Sequence, residues 1–107
     1  MIDAVHHARE LTTISQVIYT MMALLHGYEH GNQEYKALME NGAIVFIPMV
    51  NVDGVTYIDE IYQKTNRFEY IRKNRNVYSQ MKNNCRDAEQ VGVDLNRNYG
   101  YKFAHDG

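Results

Sequence analysis

Ala43-Ile44-Val45-Phe46-Ile47-Pro48-Met49-Val50 narrows the choice of fold more than any other stretch of this chain. Eight consecutive uncharged residues, rich in β-branched types, read as a strand buried on both faces, the pattern of a parallel sheet covered by helices. Pro48 has no N–H for a ladder and should mark the strand's end. What precedes the run suits that architecture. From about Glu10 to Tyr28 the apolar positions Leu11, Ile14, Val17, Ile18, Met21, Met22, Leu24 and Leu25 follow helical spacing, with Gly27 and Gly31 as stop signals. Asn32 can cap a shorter helix with Tyr35, Leu38 and Met39 on its apolar face, ended by Asn41-Gly42. Ile2 to Val5 reads as the end of another buried strand. Two buried strands around two helices define the α/β class.

The rest of the chain is less regular. Asn51-Val52-Asp53-Gly54 is a turn by composition, and Val55 to Tyr70 mixes aromatic and charged residues at weak helical spacing. Lys73 to Gln90 is polar and Asn-rich, as in an irregular surface loop, and Val91 to Leu95 returns to apolar character. With 107 residues, 45% hydrophobic and 22% charged, the chain has the composition of one small globular domain. A net charge of -2 offers no basic field for nucleic acid. No apolar run approaches the roughly 20 residues that span a bilayer, and Met1-Ile2-Asp3-Ala4 does not open a signal peptide. The single cysteine, Cys85, can form no disulfide within the chain, which leaves a reduced compartment or a partner outside these residues.

Chemistry is concentrated at His7-Ala8-Arg9-Glu10. Side chains at i and i+3 of a helical start face the same way, so the His7 imidazole and the Glu10 carboxylate could share one cation. Equally, Glu10 could be a carboxylate favourably placed in a first helical turn. Spacing alone does not choose, because His26 and Glu29 repeat it at what reads as a surface helix end.

Four segments in order change the weighting: Ile2-Asp3-Ala4-Val5-His6-His7-Ala8-Arg9-Glu10, Ile47 to Gly54, Ile71-Arg72-Lys73-Asn74-Arg75, and Gly92-Val93-Asp94-Leu95-Asn96-Arg97-Asn98-Tyr99. Together they resemble the signature segments of the zinc metallocarboxypeptidases, the carboxypeptidase A/B type more than the regulatory N/E type. The resemblance implies a mixed central sheet flanked by helices. It reads residues 1–107 as a single partial peptidase domain, roughly a third of a catalytic domain, with N- and C-terminal parts beyond it.

Carried over residue by residue, the resemblance makes His7 and Glu10 zinc ligands and gives no such role to His6. Asp94 falls at the carboxylate that accepts a hydrogen bond from the first zinc histidine; by composition it is also an ordinary turn aspartate. Arg72 falls at the catalytic arginine that stabilises the oxyanion. Asn96 and Arg97 match the pair that grips the substrate's C-terminal carboxylate, for which a forked guanidinium is well suited. Arg9 matches a substrate-subsite arginine, with a surface salt bridge as the alternative, and Lys73 and Arg75 read as a solvated charge cluster.

The third zinc ligand, the general-base glutamate and the substrate-capping tyrosine of the family have no counterpart here, and His105 lies too near Asn96-Arg97 to be the third ligand. The cysteine that Cys85 would pair with in the family also falls beyond Gly107. Two functions follow. One is a fragment of a zinc-dependent carboxypeptidase acting on peptide or protein C-termini, inactive by itself, with an extracellular location suggested by the resemblance. The other is a non-catalytic binding or scaffold protein built on the half-domain. In both, uncovered sheet and helix faces call for a protein partner.

Overall fold

The structure, a computed structural model, describes residues 1–76 and 91–101. Cys85, His105 and most of the expected 73–90 loop lie outside the described residues. Contacts divide the chain into two compact units, Met1–Ala4 with Leu11–Val50, and Val5–Glu10 with the residues from Asn51 onward.

The first unit is a crossover. Strand β1 (Ile2–Asp3) pairs in parallel with β2 (Phe46–Ile47), Ile2 opposite Phe46 and Asp3 opposite Ile47. Helices α1 (Thr12–Glu29) and α2 (Gln33–Glu40) make the connection that a parallel pair requires. Asn32 caps α2 as expected, its side chain accepting from the N–H groups of Glu34 and Tyr35. Gly27 does not stop α1; Gly31 does, at φ +81°, where only glycine is unstrained. The N–H of Gly31 returns to the Tyr28 carbonyl and that of Asn32 to the Gly27 carbonyl, closing a Schellman motif.

The long apolar run corrects the expectation of a doubly buried strand. Only Phe46 and Ile47 form ladder, ending at Pro48, and exposure alternates. Ile44 and Phe46 share an apolar cleft with Met21, Leu24 and Leu25 of α1 and Met39 of α2, whereas Val45 and Ile47 are 54% and 36% exposed. The helices cover one face of β2, and no described element of this unit covers the other. α1 is in a similar position: Val17 is its buried residue, and Ile18, Met22 and Leu25, at i, i+4 and i+7, form an exposed apolar stripe.

The second unit corrects the reading of Asn51–Gly54 as a turn. These residues begin helix α3 (Val52–Thr65), with Asn51 as its cap and Asn66 ending it in the left-handed region. Asparagine and glycine signal a turn because of the same local hydrogen bond that starts a helix, here from the Gly54 N–H to Asn51 Oδ1 at 3.0 Å. α3 buries Ile58 against Ala8 and Ile71, with Val55 and Tyr57 packed around them. The Arg75 guanidinium lies 3.8 Å from the centre of the Tyr57 ring, a cation–π contact that gives the 72–75 charge cluster a structural use. Residues Leu95–Arg97 form one turn of 3-10 helix capped by the Asp94 side chain. Among the described residues no helix is long and apolar enough to cross a membrane.

Candidate metal and substrate site

Every candidate residue lies in the second unit. Val5 to Glu10 is not helical; it is pinned by backbone hydrogen bonds from the Asn51 N–H to the Val5 carbonyl and from the Ala8 N–H to the Arg72 carbonyl. Val5 itself has φ +56°, a region that a β-branched residue enters only under constraint. The bend is followed by His7, buried at 6% exposure, with the Glu10 N–H returning to the His7 carbonyl.

The His7 ring meets a carboxylate at each nitrogen: Nδ1 is 2.9 Å from Glu10 Oε1, and Nε2 is 3.2 Å from Asp94 Oδ1. Asp94 is also bound by Arg72, whose Nε donates to Oδ2 at 2.7 Å, and by the Asn96 N–H at 3.0 Å. Burial raises the Asp94 pKa, but the Arg72 hydrogen bond and charge, the Asn96 N–H and the His7 charge outweigh it and hold the carboxyl below its ordinary value. An ionised Asp94 can only accept, so Nε2 donates to it, while Nδ1 faces Glu10 Oε1. Two electron-rich atoms 2.9 Å apart call for a positive centre between them, a proton or a metal cation. Imidazole nitrogen and carboxylate oxygen are both donors that zinc accepts, with the second ring nitrogen held by a carboxylate. Among the described residues no group of three or more His, Cys, Asp or Glu converges on one point, so the donor set here is a pair.

The structure thus brings His7, Glu10, Asp94 and Arg72 into one bonded chain, with Asn96 attached through its backbone. Arg9 and the Asn96 and Arg97 side chains are exposed, and Arg97 Nη1 donates to the Asn96 carbonyl at 3.1 Å. His6 instead bonds through Nε2 to the Tyr99 hydroxyl, their rings tilted 47°. The repeated spacing at His26 and Glu29 falls on exposed residues at the end of α1, where His26 stacks on His30.

Two structural residues escape a search for reactive side chains. Asn51 is 2% exposed and joins three backbone groups with its side chain. Gly92 has φ +95°, and the Asn74 carbonyl fills the space its side chain would need. The Asn-x-x-Gly spacing of Asn51 and Gly54 is a helix-capping pattern that could have pointed to the first.

With the geometry of His7, Glu10, Asp94 and Arg72 described, the comparisons give the class. The zinc carboxypeptidase family model matches residues 1–107, and the chain belongs to that family. A zinc carboxypeptidase of Saccharothrix mutabilis subsp. capreolus is 37% identical over 97 residues, covering 91% of this chain and 19% of that protein. The inactive metallocarboxypeptidase ecm14 of Schizosaccharomyces pombe is 29% identical over 97 residues, covering 91% of this chain and 17% of that protein. The chain therefore spans about a fifth of the length of these curated relatives. No solved structure gives a significant match.

Proposed function

We propose that this chain carries the metal-binding and carboxylate-binding part of a zinc-dependent metallocarboxypeptidase domain that trims C-terminal residues from peptides. His7 Nδ1 and Glu10 are two zinc ligands, Asp94 orients the His7 ring, and Arg72 is the oxyanion partner. The observation that carries the reading is the placement of His7 between Glu10 and an ionised Asp94, with that same Asp94 fixing Arg72.

Zinc, when bound, supplies a Lewis acid and an activated water. The chain's own residues do the rest. Asp94 accepts from Nε2, which leaves Nδ1 as the ring nitrogen that would turn to the metal. Arg72 commits its Nε to Asp94, which leaves the terminal guanidinium N–H groups for the charge that develops on the scissile carbonyl oxygen. Asn96 and Arg97, exposed on the 3-10 turn that Asp94 caps, bind the substrate's terminal carboxylate, so a free chain end is accepted and an internal bond is not. Arg9 contributes to a neighbouring substrate subsite. The family's usual setting places this activity outside the cell.

Zinc titration of the chain tests the metal pair. Weak binding that disappears in His7→Ala and Glu10→Ala is expected, because two donors hold zinc less firmly than the three of a catalytic site. Unchanged affinity in Glu10→Ala would remove Glu10 from the site. Binding of a peptide with a free C-terminus beside its C-terminally amidated twin tests the carboxylate grip, and equal affinity for both would end that assignment.

A second reading is a non-catalytic scaffold on the same frame. An inactive relative at 29% identity supports it. It predicts equal affinity for the two peptides with the metal pair intact.

A further inference from the structure

We propose that Asn51 is a positioning residue: one buried side-chain amide holds the His7 segment and the Arg72 segment in register. A helix cap needs only an acceptor, and Asn51 Oδ1 supplies it to the Gly54 N–H, as serine or aspartate would. What asparagine adds is the amide nitrogen, and both its protons are spent outside the helix. Nδ2 donates to the carbonyl of His6 at 3.0 Å and to that of Arg72 at 3.4 Å. One carbonyl belongs to the residue that precedes His7; the other belongs to Arg72 itself. The side chain is 2% exposed, so no water can readily replace these donors.

The surroundings fix the amide in turn. A Cβ on Gly54 would lie 2.7 Å from the Ala8 Cβ, 2.8 Å from Asn51 Oδ1 and 2.9 Å from the Lys73 carbonyl, so the residues just after His7 and Arg72 both close on the helix start that Asn51 caps. The Asn51 backbone N–H meanwhile holds the carbonyl of left-handed Val5 at 2.9 Å, which supports the bend that aims His7. Groups that orient a ligand from behind typically change metal affinity by about 10–100-fold when removed. The consequence for the metal rests on the roles given to His7 and Arg72 above, while the tie between the segments does not.

Asn51→Ser and Asn51→Asp keep a capping oxygen and lose the amide donors; Ile58→Ala weakens the same unit through its core without touching the tie. Two readouts on the 107-residue chain separate positioning from stability. By NMR without metal, the Arg72 Nε–H resonance, set by its bond to Asp94, should move toward that of a free guanidinium in both Asn51 variants and stay in place in Ile58→Ala. Cobalt(II), followed by its visible absorption, should bind about tenfold or more weakly to the Asn51 variants, and to Ile58→Ala within about twofold of the parent. An unmoved Arg72 resonance in both Asn51 variants overturns the proposal, as does Ile58→Ala matching them in both readouts. Loss of folding in both Asn51 variants while Ile58→Ala folds overturns it too, since the amide would then be a stability element only. A parent chain that binds no cobalt refutes the metal role of His7 and Glu10 and leaves the resonance test of the tie standing.

Discussion

Replacing Asp94 removes the one group on which His7, Arg72 and the Asn96 backbone converge. Its side chain is 17% exposed, against 7% for His7 and 31% for Arg72, so the cluster lies between a surface pair and a buried one. Breaking a buried pair costs about 3–5 kcal/mol, and an exposed pair is worth about 0–1 kcal/mol. With Arg72 almost one-third exposed and partly screened, Asp94→Ala should destabilise by about 2–3 kcal/mol. Asp94→Asn keeps an oxygen for the Asn96 N–H but loses the charge, for about 1–2 kcal/mol. Urea unfolding of the metal-free chain at neutral pH, read by far-UV circular dichroism, measures both.

Acid supplies an internal check. The native Asp94 pKa is depressed, so its contribution is complete above the ordinary carboxylate value of 3.8 and fades as the pH falls through the native value below that. The stability gap between the parent and Asp94→Asn should therefore be full at neutral pH and close in strong acid. A gap that stays constant into acid, or an Asp94→Ala cost below about 0.5 kcal/mol, would refute the view that this carboxylate anchors the cluster.

Gly54→Ala should cost about 1–3 kcal/mol in the same unfolding assay despite alanine's better helix propensity, because three neighbours lie within 3 Å of the added methyl. Asn32→Ala should lower stability by about 1 kcal/mol through loss of the α2 cap, with Asn32→Ser close to the parent. Zinc affinity measured by calorimetry should be unaffected by Glu29→Ala, in contrast to Glu10→Ala, since Glu29 lies exposed at the end of α1.

How much of this was legible in the sequence depended on how local the cause was. The α2 cap at Asn32 and the α1 stop at Gly31 were readable because each is fixed by hydrogen bonds within a few residues. The burial of Ala43–Val50 was misjudged because an uncharged run reports what a strand tolerates, whereas coverage depends on neighbours, and the helices reach only the Ile44 and Phe46 side. Asn51 reads as a turn residue in the sequence because turn and cap use the same side-chain acceptor. The His7–Glu10 pair could not be told from His26–Glu29 by spacing; what separates them is Asp94, 87 residues away and invisible to any local pattern. The ordered motifs resembling the family supplied that long-range information.

That separation of 87 residues also has a meaning in time. A ribosome adding about 5–20 residues per second leaves roughly 4–17 s between the appearance of His7 and that of Asp94. During that interval Glu10 and the early helices are present, but neither the aspartate nor Arg72, only 22 residues before it, is in place to hold the ring. The Nε2 side of the ring gains its carboxylate only after residue 94 has been added, so the placement of His7 is completed late, whatever the early helices have already formed.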